Sequence, residues 1–157
     1  MLYTQEDRYK RDKTRWTLVQ GVLAPLQFIV FLVSLGLLLN YFVNETFLEL
    51  ALVSVVLKTL ILCLIMVTGA MWEKTVFGQY LFAHPFYWED VVSMVVVFLH
   101  LIYLVAYFFN LFSIEIQLFI ALAAYVAYVV NAIQFLVKFR LARIENSRQV
   151  LMEGVSS

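Results

Sequence analysis

Four long stretches of the chain are apolar with few interruptions, and the polar positions that divide them fall into short, separate clusters. The stretches cover residues 18–42, 47–72, 88–110 and 114–138. A helix needs about 20 apolar residues to cross the hydrocarbon core of a bilayer, and all four reach that length. The dividers YFVNET and NLFS are short and turn-like, which suits antiparallel neighbours. The pattern predicts an all-α polytopic membrane protein: one four-helix up-down bundle within residues 1–157, with a charged arm at 1–17 and a tail at 139–157.

Composition agrees, and charge adds a direction. Hydrophobic residues make up 64% of the chain and charged residues 14%, against about 45–50% and about 25% in a soluble domain. The 11 basic and 11 acidic side chains cancel, and nucleic acid is not an expected partner. The basic residues are nonetheless gathered. Arg8, Lys10, Arg11, Lys13 and Arg15 precede the first span, Lys138, Arg140, Arg143 and Arg148 follow the last, and Lys74 lies in the middle connection. Lys and Arg flanks are retained in the cytoplasm, so both termini and the loop 73–87 are expected there. Trp16, Trp72 and Trp88 fall at the same span ends, as interfacial tryptophans do. The opening residues are charged rather than apolar, so no removable signal peptide is expected. The single cysteine, Cys63, reads as a small buried hydrophobe.

Polar side chains inside membrane spans are costly and tend to face the bundle interior. Glu73, Lys74, Glu89 and Asp90 lie at the rim assigned to the cytoplasm, with Gln20, Ser93, Asn131 and Gln134 roughly one to two turns deeper and Gln27 about three. The opposite half of the spans holds few such groups. A polar pocket opening at the cytoplasmic surface is the functional reading. The plainer one is that the amides bond neighbouring helices and the carboxylates are solvated or cap a helix start. Lys58 and His100 lie near mid-membrane, about 21 and about 18 Å from the same rim. Lys58 reads as snorkelling or structurally bonded. His100 is either a hydrogen-bonded core histidine or an axial ligand to a tetrapyrrole metal, and His84, in the aromatic loop QYLFAHPFYWED, is equally eligible as a ligand.

With those residues in hand, the chain resembles the 2-vinyl bacteriochlorophyllide hydratase family. The resemblance is carried by RWTLVQGVLAPLQFIVFLVSL, KTLILCLIMVTGAMWEKTVFGQYLF, FYWEDVVSM and AAYVAYVVNAIQFLVKFRLAR, and it spans residues 15–143. It implies a hydro-lyase of bacteriochlorophyll biosynthesis, adding water across the 3-vinyl group of chlorophyllide a. The membrane it implies is the inner, cytoplasmic or photosynthetic one. The partners are then a magnesium chlorin, water and lipid. No cofactor of the protein's own is implied, because the magnesium belongs to the substrate.

Such a hydration needs a proton donor, a base that orients water, and a sheltered pocket. A carboxylic acid in an apolar setting can stay protonated near neutrality while a wetter carboxylate acts as base. Glu73 with Glu89 or Asp90 is the expected acid-base set. Gln27, Ser93, Asn131 and Gln134 are expected to position water or ring substituents, Lys74 to meet the propionate, and His84 or His100 to face the magnesium. A non-catalytic tetrapyrrole-binding or assembly protein is the competing class. A homo-oligomer, or contact with neighbouring pathway enzymes, is compatible with the small residues Ala123 and Ala127 on the fourth span.

Overall fold

The computed structural model describes residues 2–156, and among them the regular structure is helical. A short helix α1 (Gln5–Lys13) precedes four long ones, α2 (Arg15–Asn44), α3 (Leu48–Phe77), α4 (Tyr87–Phe108) and α5 (Ile114–Ser156), with a single 3-10 turn at His84–Phe86 leading into α4. These four are long and apolar enough to cross a membrane. At about 1.5 Å per residue, the 30 residues of α3 measure about 45 Å, more than the roughly 30 Å of hydrocarbon. The surplus is what carries side chains out to the rim.

Each boundary has a local cause. Thr4 and Asp7 form a reciprocal capping box at the start of α1, with Asp7 N–H donating to Thr4 Oγ1 at 3.1 Å and Thr4 N–H to Asp7 Oδ2 at 2.9 Å. Helix α2 ends at Glu45 in the left-handed region, and α3 ends at Gly78 with φ +85°, its N–H donating to the Lys74 carbonyl. Only glycine adopts that φ without a steric penalty. At the α4–α5 turn the Gln117 amide donates to the Ala106 and Leu111 carbonyls at 3.2 and 3.0 Å, satisfying groups that lipid cannot.

The helices pack as two hairpins. α2 lies along α3 and α4 along α5, whereas the hairpins meet each other more sparingly. Between them runs a core of Phe31, Leu38, Leu52, Val55, Val96 and Tyr125 with their neighbours. Polar pairs cross it: Ser34 Oγ lies 2.7 Å from Ser54 Oγ and also bonds the Tyr125 hydroxyl, and Tyr103 donates to the Leu52 carbonyl at 2.9 Å. The half of the bundle remote from the termini is therefore better bonded than its scarcity of polar side chains within the spans suggested. Leu18, Val22, Leu32, Phe98, Phe119 and Val126 point outward, as lipid-facing residues do.

Both termini lie at one end. The Leu2 amide donates to Glu145 Oε2 at 3.1 Å, and Arg8 donates to Asn146 Oδ1 at 2.8 Å and to Gln149, fastening α1 to the far reach of α5. Trp72 Nε1 donates to Thr17 Oγ1 at 2.9 Å and Gln20 to Thr68 at 2.6 Å, which aligns α2 with α3 at the same end.

Candidate active site

The end that carries the termini also carries the acidic residues. Glu73 sits in the last turns of α3. Glu89 and Asp90 open α4, where the positive end of the helix dipole favours carboxylates. All three are buried, at 5%, 7% and 3% exposure. Their burial is made tolerable by the backbone between them. Phe82 adopts φ 61°, a conformation costly for a residue with a Cβ. Two consecutive amides are turned onto the carboxyls: Phe82 N–H donates to Asp90 Oδ2 at 2.8 Å and Ala83 N–H to Glu73 Oε2 at 3.3 Å. The carboxyl groups of Glu73 and Asp90 thus come together under one turn of backbone, near enough for their charges to interact. Two ionised carboxylates held close together in an apolar setting repel, and a proton on either relieves that repulsion.

Glu89 stands apart from the pair. Its Oε1 lies 3.4 Å from Lys138 Nζ on α5, and its Oε2 is buried without a hydrogen-bond partner. Behind it a small network ties α4 to α5. Ser93 Oγ lies 2.8 Å from the Glu89 carbonyl and 3.0 Å from Asn131 Oδ1, while Asn131 Nδ2 donates to the same carbonyl at 2.9 Å and reaches Gln134 Oε1 at 3.4 Å.

Aromatic rings roof this end. Phe86, 1% exposed, has Trp72, Phe77, Phe135 and Phe139 around it at centroid distances of 5.7 to 6.0 Å. Tyr3 comes in from the arm and stacks on Phe77, its ring 5.9 Å away and 1° from parallel, with the Arg11 guanidinium 4.9 Å from the Tyr3 ring centre. Burial pushes the Tyr3 hydroxyl up to about 12, so this roof does not titrate near neutrality.

Two shallow grooves run along α5, the first of them edged by Glu89. One, of about 370 Å³, has Val130, Ile133, Val137 and Leu141 for walls and Glu89, Gln134 and Lys138 for its polar edge. The other, of about 340 Å³, is bounded by Leu2, His84, Pro85, Lys138, Leu141 and Glu145. Lys138 and Leu141 belong to both, so the grooves adjoin, with the exposed His84 at the far side.

Of the side chains singled out in the sequence, Glu73, Glu89, Asp90, Ser93, Asn131, Gln134 and His84 thus lie at one end of the bundle. Lys74 shares that end, whereas Gln27, His100 and Lys58 lie deeper in the bundle. Lys74 Nζ donates to the Gly78 carbonyl at 2.8 Å and closes the end of α3. Gln27 is in the core at 3% exposure, its Nε2 unpartnered. His100 is sealed at 0% exposure, bonded through Nδ1 to the Val96 carbonyl at 2.7 Å and facing Tyr125. Lys58 does not snorkel. It is fully buried, its Nζ without a hydrogen-bond partner and 3.5 Å from the Tyr128 ring centre. Two contributors escaped the sequence reading, the amides of Phe82 and Ala83 and the side chain of Lys138. The signal for Lys138 was its place four residues after Gln134 and seven after Asn131, on one helix face.

Four membrane-length helices, with three buried carboxyls at one end and an apolar groove edged by Glu89, define a polytopic membrane protein. The chain belongs to the 2-vinyl bacteriochlorophyllide hydratase family, whose model matches residues 3–141. It is 57% identical over 147 residues to the 2-vinyl bacteriochlorophyllide hydratase of Cereibacter sphaeroides, covering 92% of this chain and 89% of that one. To the protein of the same name from Rhodobacter capsulatus it is 56% identical over 144 residues, covering 92% and 84%. No solved structure matches the chain.

Proposed function

We propose that the chain is a hydratase that adds water across the 3-vinyl group of chlorophyllide a to give the 3-(1-hydroxyethyl) product in bacteriochlorophyll biosynthesis. Membership of the family, with two relatives bearing its name, supports a vinyl tetrapyrrole as substrate. The observation that carries the chemistry is the burial of Glu73, Glu89 and Asp90 at one end of the bundle, with two backbone amides turned onto Glu73 and Asp90 and Glu89 on the edge of an apolar groove.

The steps follow from the vinyl group. The proton held by Glu73 and Asp90 passes to the terminal carbon, leaving a cation on the carbon attached to the ring, where conjugation spreads the charge. Water adds to that carbon and gives up a proton to a carboxylate, so the protein ends with the proton count it began with. No electron is gained or lost, and the reaction calls for no redox cofactor. Glu89, with one oxygen unpartnered, orients the water and takes its proton. Asn131, Ser93 and Gln134 brace the first turn of α4 and so hold Glu89 in position. The phenyl roof limits bulk water at the cation. His84, exposed beside the second groove, is the group suited to face the substrate's magnesium. The gathered Lys and Arg residues support a cytoplasmic, inner-membrane setting for this end.

Incubation of the purified protein with the vinyl pigment in ¹⁸O-labelled water tests the reading. The expected product has gained one water and carries one labelled oxygen. Tight pigment binding with no gain in mass would instead make the chain a carrier.

A further inference from the structure

One cation stands where the two grooves meet, and nothing above gives it a task. Lys138 Nζ is 3.4 Å from Glu89 Oε1, longer than the roughly 2.7–2.9 Å of a well-formed charged hydrogen bond. Its side chain keeps 29% exposure while that of Glu89 keeps 9%. An ammonium has three donors, and this loose pairing leaves it able to serve a second carboxylate. Along the same groove Val130, Ile133, Val137 and Leu141 offer an apolar wall. The ligand that fits is a flat apolar body with one carboxylate near its edge. Lys74, the residue expected from the sequence to meet a propionate, instead bonds the Gly78 carbonyl.

We propose that Lys138 reads the free propionate of the substrate and so selects free-acid tetrapyrroles over their esters, while its shift toward that propionate frees Glu89 to act on water. This rests on the reading that the groove seats a tetrapyrrole. Lys138 is here a specificity-determining residue, and its effect on Glu89 is a positioning one.

The test is binding rather than turnover. A vinyl chlorin free acid and its methyl ester are titrated, by pigment absorption, against the full chain in phosphatidylcholine nanodiscs. The native protein should bind the free acid roughly tenfold more tightly than the ester, as a charged hydrogen bond of ordinary strength gives. Lys138→Arg should keep that ratio and Lys138→Met should bring it close to one. Should Lys138→Met fail to fold with Glu89 left unpaired, Lys138→Met combined with Glu89→Gln removes both charges and carries the same readout. An equal preference for the free acid in native and methionine-bearing proteins would overturn the assignment, as would a native protein indifferent to esterification. Turnover is scored separately: a protein that binds with the expected ratio yet adds no water keeps Lys138 as the reader and removes the hydratase reading.

Discussion

A buried carboxyl serves as an acid only while its surroundings keep the proton on it, and here the surroundings of Glu73 include Asp90. Replacing either with its amide, Glu73→Gln or Asp90→Asn, should preserve shape and pigment binding but lower kcat by about 10²–10⁴-fold, the usual worth of a general acid or base. Steady-state assay of vinyl conversion in membranes, with binding measured alongside, checks this. Activity within a factor of two of native in both variants would remove the pair from the mechanism. Lys58 gives a contrasting case. Its amine meets rings but no hydrogen-bond acceptor, so an apolar side chain of similar length should be accommodated at little cost. Lys58→Met is expected to melt at or above the native temperature, and a markedly lower midpoint would reveal a partner for that amine. Both burials concern residues visible in the sequence, yet depth alone separated neither Lys58 from a snorkelling lysine nor Lys74 from Lys138. What separated them was helix rotation and the acceptor each nitrogen meets.

The connection 78–83 and the arm α1 matter at the scale of elements. The connection starts from Gly78 at φ +85° with open space around its missing Cβ, so Gly78→Ala should cost about 1 kcal/mol through backbone strain alone. Because the turn it launches delivers two amides to the carboxyls, activity should fall with stability; thermal unfolding of the variant beside its turnover reports on both. The arm contributes one ring to the roof. Tyr3→Ala should loosen the cluster by about 3 kcal/mol, whereas Tyr3→Phe should be close to native, and protease nicking of α1 distinguishes them. Four apolar runs made the spans readable, because length and hydropathy are all that crossing a bilayer demands. The left-handed turn at Phe82 was not readable, since phenylalanine carries no signal for that conformation and the carboxyls its amides meet come together only in the fold. Helical continuation of α5 to Ser156 was equally hidden, for beyond the lipid it is held to α1 by Arg8 at Asn146 and Gln149.

Over the whole molecule the distribution of chemistry is lopsided. The end bearing both termini holds the three buried carboxyls, the grooves and the aromatic roof, and the far end holds exposed glutamates and short polar bonds that join helices. On the proposed reading, a pigment lies in lipid while water and protons come from one aqueous side. Cysteines placed at residues 5 and 150 should both react with a membrane-impermeant thiol reagent from the same side, and labelling from opposite sides would break the topology. The claim on which the rest depends is that the Glu73–Asp90 pair drives the hydration. Its most direct test is mass analysis of the vinyl pigment after incubation with native protein and with the double variant Glu73→Gln, Asp90→Asn. The native protein should convert the pigment to a species heavier by one water while the double variant binds it and returns it unchanged. Conversion by the double variant at the native rate would contradict the account.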